Sequence, residues 1–304
     1  MPFPNRRTFL KSALAGVAGV SRVQAQRTIL STPLSDNVFL LTRAGANVVA
    51  RAGADGVVLV DGGLAERAVD LAKAVFLLPG AGPVHTLFNT HWHPEQTGSN
   101  LALGRAGATI IAHENTRLRL TQEITRPGEN RTHKPFPKEA LPNKTFYGNG
   151  SGSGSIIVDG EHIEYGYLLQ AHTDGDIYVF FPTANVLVIG DVIAGEGWPM
   201  IDWWTRGSIN GIVSGLDTLL AVANEKTRVV AGQGPVLTKA DLDTQRKMFN
   251  TIAQRLRTIM NKSKNPDDAI AEQPTKEFDE RMGDPKQFIR TAFQSMWPHV
   301  TPDP

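Results

Sequence analysis

Short, almost wholly apolar runs that stop abruptly on a polar residue limit what this chain can fold into. Residues 56–61 read Gly-Val-Val-Leu-Val-Asp, and 186–191 read Val-Leu-Val-Ile-Gly-Asp. Runs this short and this apolar suit strands buried on both faces, which lack the alternation of a half-exposed strand. The segments 37–41, 47–51, 84–89, 109–112, 177–181 and 228–231 also read as strands, and an Asp-Gly turn joins 155–159 to 162–170 as a hairpin. Amphipathic stretches lie between them. In 65–76, Ala68, Leu71 and Val75 share a face from which Glu66, Arg67 and Lys73 are absent. Residues 99–106, 113–122, 208–223 and 239–260 also read as helices, with Ser208 and Thr238 as N-caps. Residues 126–155, rich in Pro, Gly, Lys and Asn, read as a loop, either a lid or plain surface. Residues 263–304 read as a Pro- and Asp-rich linker and one helix at roughly 285–296. Two halves of alternating strands and helices predict an α/β fold with two sheets packed together and helices outside.

At 304 residues the chain can bury a core without covalent staples. It has no cysteine, which excludes disulfides, thiolate metal sites and a Cys nucleophile. The 31 Lys and Arg are balanced by 30 Asp and Glu, so no basic excess points to nucleic acid. The chain opens with Arg6-Arg7-Thr8-Phe9-Leu10-Lys11, a mild apolar stretch over 12–20, and the small-residue pattern Val23-Gln24-Ala25. Residues 1–25 therefore read as a twin-arginine-type export signal, too short and too weakly apolar to span a bilayer. The expectation is a periplasmic or secreted protein with no stable membrane insertion once the signal is removed. The signal carries Arg6, Arg7, Lys11 and Arg22 and no acid, so the chain beyond it is slightly acidic.

The histidines decide the chemistry. His91 and His93 stand in Asn89-Thr-His-Trp-His-Pro-Glu-Gln-Thr-Gly98, directly after a strand. Alternate residues of an extended chain point the same way, so His-x-His presents two imidazoles to one point before Pro94 turns the chain. His172 stands in Ala171-His-Thr-Asp-Gly-Asp176, between two strands, while Asp61 and Asp191 close strands of their own. Polar groups at strand ends beside glycine turns are where a scaffold displays its chemistry. Three histidines with one open position form a catalytic zinc site, in which bound water ionises near pH ~7. A His-x-His pair alone suits structural histidines equally well. His113-Glu114-Asn115 lacks the second His of a zincin helix, and His85, His133, His162 and His299 are assigned to structure or surface. The Gly-Ser run at 148–154 has no following Lys-Ser/Thr for a phosphate loop.

Taken in order, the pieces resemble the metallo-β-lactamase-fold hydrolases. They are Val-Leu-Val-Asp61-Gly-Gly, Thr-His91-Trp-His93-Pro-Glu95-Gln96-Thr-Gly, Ala-His172-Thr-Asp-Gly-Asp, Ile-Gly-Asp191 and Ala-Gly-Gln233-Gly-Pro, and the resemblance covers roughly 30–262. It implies an αββα sandwich of two mixed β-sheets flanked by helices. The catalytic domain would span 26–262, with a helical tail over 263–304 packed on it. It further implies that His91, His93 and His172 hold the first metal and that Asp191 is a bridging carboxylate. Asp61 would orient the His-x-His loop by accepting a ring N–H. The family pattern is His-x-His-x-Asp-His, with a later His in Gly-His-Gly-Pro; here Glu95, Gln96 and Gln233 stand in those places. All three departures fall on the second metal position, where an amide oxygen is a poor zinc ligand.

The cofactor expectation is therefore one firmly bound Zn2+, with a second position weak, empty or taken by a harder cation. Three readings follow: a mononuclear hydrolase in which Glu95 orients or deprotonates the water; a binuclear enzyme with Glu95, Asp191, Gln96 and Gln233 as unusual ligands; or a non-catalytic metal- or ligand-binding protein that keeps the fold. For the hydrolases, the implied reaction is attack of metal-bound hydroxide on the ester, lactone or amide carbonyl of a small molecule, β-lactams included. Trp198 and Trp203 are read as apolar walls for that substrate or as a cluster packed on the last helices. Arg206, before the helix capped by Ser208, is read either as an attractor for an anionic group or as a plain surface arginine.

Overall fold

The computed structural model describes residues 28–125, 132–148, 152–262 and 265–297; residues 1–25, read above as an export signal, and His299 lie outside the described residues. The first strands, β1 (Leu30–Pro33), β2 (Val38–Thr42), β3 (Val48–Gly53) and β4 (Gly56–Val60), form an antiparallel meander. β5 (Val84–Phe88) and β6 (Thr109–His113) continue that sheet in parallel. A two-stranded ribbon, β7 (Ile124–Thr125) and β8 (Thr132–His133), comes next, and then β9 (Lys144–Phe146) completes a seven-stranded sheet beside β6. The second sheet runs β10 (Ser153–Val158), β11 (Glu161–Tyr167), β12 (Ile177–Phe181), β13 (Val186–Gly190) and β14 (Arg228–Ala231), antiparallel except for the last pair. Among the described residues no helix is long and apolar enough to cross a membrane.

The apolar runs are explained by where their alternate residues go. Val38 and Leu40, with Val58 and Val60, face the interior between the sheets, where they meet Ile177, Val179, Val186 and Val188. Their neighbours Phe39, Leu41, Val57 and Leu59 face the opposite side, against Leu71 and Val75 of the helix Ala68–Phe76. Leu187, Ile189 and Val229 turn outward beneath Ile212, Leu216, Leu242, Phe249 and Phe293 of the helices Ile209–Val222, Lys239–Met260 and Lys286–Gln294. β2, β4 and β13 each feed two cores, so neither of their faces is free to be polar. The layers are helix, sheet, sheet, helix, the αββα sandwich with two mixed sheets.

Two segments differ from expectation. Residues 126–155 read as loop, yet β9 lies inside it and β10 begins there. A three-residue strand carries no periodicity of its own, and β9 exists because the edge of β6 offers it a partner. Among its described residues the tail holds three helices rather than one: Pro266–Ala271, Asp279–Met282 and Lys286–Gln294. Asn265 caps the first in a reciprocal box with Asp268, and Pro266 stands in its first turn, so Asn-Pro there starts a helix rather than a linker.

The topology sets up one chemically active edge. β4, β5, β13 and β14 all end there, and β12 starts there because it runs antiparallel to β13. Asp61, His91, His93, Asp191 and Gln233 follow strand ends, and His172 lies in the turn before β12.

Candidate metal centre

The structure brings His91, His93, His172 and Asp191 together, with one donor atom of each lying within 4.8 Å of the others. The three rings stand edge to face, with centroids 4.6 Å apart for His91–His93 and His91–His172 and 4.8 Å for His93–His172. All three histidines are buried, whereas the side chain of Asp191 is 25% exposed.

Hydrogen bonds to the outer nitrogens assign the tautomers. His172 Nδ1 lies 2.8 Å from the Met200 carbonyl, an acceptor only, so it carries the proton. His93 Nε2 lies 2.9 Å from Asp202 Oδ2 and carries the proton likewise. The Thr90 hydroxyl donates to the Asp61 carboxyl at 2.8 Å, which leaves its oxygen to accept from His91 Nδ1 at 3.2 Å. The inner nitrogens are therefore lone pairs. His172 Nε2 faces His93 Nδ1 at 3.1 Å, and His91 Nε2 faces Asp191 Oδ2 at 3.6 Å. Lone pairs aimed at one another in a buried space repel unless a cation lies between them. This donor set of three imidazole nitrogens and one carboxylate fits zinc.

Asp61 acts one step further back than expected. Its carboxyl accepts the Thr90 N–H at 2.8 Å as well as the hydroxyl, so it fixes the His-x-His loop through Thr90. Burial pushes this carboxyl well above its ordinary value, the Thr90 bonds oppose that, and nearby Asp191 adds to it. Ile177 N–H donates to the Thr90 carbonyl at 2.9 Å, tying the loop to the second sheet. Gly190 has φ +57°, and a Cβ there would meet the Thr90 hydroxyl at 2.7 Å. Asp176 folds the His172 turn by accepting the Thr173 N–H at 2.7 Å and hydroxyl at 2.9 Å. Burial pushes Asp176 up to about 7, against the His172 ring and the Thr173 bonds.

The family model of the Metallo-beta-lactamase superfamily matches residues 41–285. The chain belongs to this superfamily. It is a metal-dependent hydrolase of that superfamily, with a metal-binding cluster of three histidines and one aspartate. No curated protein matches the sequence. Among solved structures, a metallo-beta-lactamase from Pontibacter korlensis superposes with a TM-score of 0.58 at 20% identity, covering 73% of this chain and 99% of that one. DIM-1 metallo-beta-lactamase gives 0.57 at 20% identity over 74% and 98%. The sec-alkylsulfatase Pisa1 from Pseudomonas sp., stereoselective and inverting, gives 0.64 at 15% identity over 91% of this chain. This chain spans 52% of the alkylsulfatase's length. At these identities the likeness is one of fold.

The remaining predicted residues divide. Gln96 is buried and donates its amide to Asp191 Oδ2 at 3.3 Å, while its Oε1 is buried without a hydrogen-bond partner. Glu95 is half-buried and near enough to Asp191 to push that carboxyl upward, adding to the larger effect of burial and opposed by the His172 ring. Gln233 is exposed, between Gly232 and Gly234, in a segment held by Asn47. A Cβ on Gly232 would strike Asp191 Oδ1 at 1.9 Å, so that approach requires glycine. Trp198 stacks on Phe288 of the last helix at 4.5 Å and donates to the Gly283 carbonyl, and Trp203 packs in the same outer core. Of the two tryptophan readings, the contacts are those of the helix-packed cluster. Arg206 adopts φ 64° and its charge acts on Asp174, which also pairs with Arg119. Sequence reasoning missed Asp202 and Thr90. Asp202 lies far along the chain from His93, and the only local hint was its capping contact to Thr205 N–H at 3.3 Å, an Asp three residues before a Thr.

Proposed function

We propose that this protein is a hydrolase dependent on a single zinc ion, acting on the ester, lactone or amide carbonyl of a small molecule, β-lactams among the candidates. The observation that carries this reading is the convergence of three unprotonated imidazole nitrogens, each with its outer nitrogen held by a separate partner. When bound, zinc supplies a water nucleophile near neutral pH and polarises the carbonyl. His91 Nε2, His93 Nδ1 and His172 Nε2 would hold it and leave one position for water, with the Asp191 carboxylate beside that position. The rings are buried and Asp191 is partly open, so water and substrate approach past Asp191, Glu95 and Gln233. Glu95 orients the water and takes its proton on a carboxylate oxygen. Asp61 and Asp202 keep the imidazoles in register as charge develops.

Elemental analysis of the purified protein tests the cofactor, with about one zinc per chain expected. Assays on a panel of esters, lactones and β-lactams test the reaction, and His93→Ala should abolish turnover while the protein stays folded. Turnover that survives His93→Ala, or a folded, zinc-loaded protein without turnover on the whole panel, overturns the reading. We further propose export by the twin-arginine route, supported by Arg6-Arg7 and the apolar stretch after them. Lysine at both arginines should hold the protein in the cytoplasmic fraction.

A further inference from the structure

A cavity of about 390 Å³ lies against the metal loop, within the ~300–1,000 Å³ range of small-molecule sites. Its walls include Trp92, Pro94, Leu101, Leu120, Phe136 and Ala140. We infer that it receives an uncharged apolar arm of the substrate, an alkyl or aryl group joined to the scissile ester or amide. The inference rests on the hydrolase reading above.

Position is the first argument. Trp92 and Pro94 flank His93, and the Trp92 ring stands edge-on to the His93 ring at 4.7 Å. One stretch of chain thus holds the cluster on one side and forms the cavity wall on the other, and Pro94 continues directly into Glu95. An occupant lying over Pro94 therefore sits one residue along the chain from His93 and one from Glu95. The second argument is how the cavity is built. Trp92, Leu120 and Ile124, with Phe136 and Leu141, make a small apolar cluster separate from the three main cores. Trp92, Leu120 and Phe136 of this cluster line the hollow, and so offer apolar surface to a guest.

The third argument is charge. Arg119 and Lys134 also line the cavity. Arg119 is committed to the Asp174 carboxylate at 2.6 Å and Lys134 to Glu123 at 2.7 Å. A carboxylate-bearing arm would have to displace those acids, whereas an apolar arm leaves both pairs intact. Each methylene buried there strengthens binding roughly fourfold.

The test uses the zinc-loaded full chain with p-nitrophenyl acetate and p-nitrophenyl octanoate. The wild type should favour the octanoate at least tenfold in kcat/KM. Leu101→Trp, which fills the cavity, should cut octanoate turnover tenfold or more and leave acetate within twofold; Phe136→Ala, which opens the wall, should also weaken octanoate selectively. A wild type that prefers acetate, or variants that shift both esters together, overturns the inference. If Leu101→Trp fails to fold by thermal melt, Phe136→Ala decides. Should the wild type cleave neither ester, the full panel of esters, lactones and β-lactams decides the hydrolase reading, and binding of Nile red, an uncharged apolar dye, decides the cavity's role. Saturable binding competed by 1-octanol and lost in Leu101→Trp supports an apolar occupant; absent binding, or binding unchanged in the variant, overturns it.

Discussion

The two halves of the metal edge are built to different standards. On one side stand three buried imidazoles, each braced at its outer nitrogen by Thr90, Asp202 or the Met200 carbonyl. On the other stand two carboxylates and two carboxamides, among which Gln96 spends its amide on Asp191 and Gln233 is exposed. Bracing removes rotational freedom before an ion arrives and fixes which nitrogen is the lone pair. From that difference we expect affinity for a zinc-like ion to be concentrated in the histidine half. The other half offers oxygens, which suit harder cations better.

The sharpest way to break this comparison is to remove an imidazole. His172→Ala should reduce zinc content of the dialysed protein to background and abolish turnover, a larger loss than the ~10–100-fold in affinity that follows loss of a bracing partner. Residual stoichiometric zinc in that variant would mean that the carboxylate half holds an ion unaided. Next in size is Asp202→Ala, which leaves the imidazoles but frees the outer nitrogen of His93. Zinc affinity, measured by competition with a chelator, should fall by about 10–100-fold. Asp202→Asn keeps an acceptor for His93 and for the Thr205 N–H, and should recover most of the loss.

Smaller in its effect on the first ion, though more telling about the second half, is the pair Gln96→His and Gln233→His. Imidazoles in both places should raise metal content from about one toward two per chain. A ratio that stays at one would show that the 231–234 segment does not bring residue 233 to the cluster.

The same contrast explains what was legible in the sequence. His91, His93, His172, Asp61 and Asp191 stood out because each follows or precedes a strand whose apolar run could be read directly, and strand ends fix direction. The two-sheet sandwich was legible for the same reason. The bracing was not: the Met200 partner is a backbone carbonyl, which no residue type announces, and Asp202 reaches His93 from a distant segment. Three-residue β9 and the short tail helices escaped because their stability comes from neighbours rather than their own pattern. Asn265-Pro266 is a readable start signal that the polar composition around it obscures.

His113 offers the finest test, because it is an imidazole at the same edge without a place in the cluster. It ends β6, is buried, and stacks on Tyr167 at 3.9 Å with Nδ1 accepting the Asn115 N–H at 3.2 Å. Its Nε2 is buried with no hydrogen-bond partner. Burial pushes its pKa down to about 4, opposed by Glu114, so the folded protein keeps it neutral where an unfolded chain would protonate it. Between pH ~6.5 and that depressed value the unfolded state binds the extra proton. The stability His113 contributes is therefore present above pH ~6.5, falls as pH drops through that window, and levels off once the folded state also protonates. His113→Phe keeps a ring on Tyr167 and removes the titration. Thermal melts of metal-free protein from pH 7 to 4.5 should show the wild type losing more than the variant, by on the order of 2–4 °C in Tm. Zinc content at pH 7 should be the same in both. Equal acid slopes would show that His113 is charged in the fold; a fall in zinc content would place it among the ligands' supports and erase the distinction between this imidazole and the three that converge.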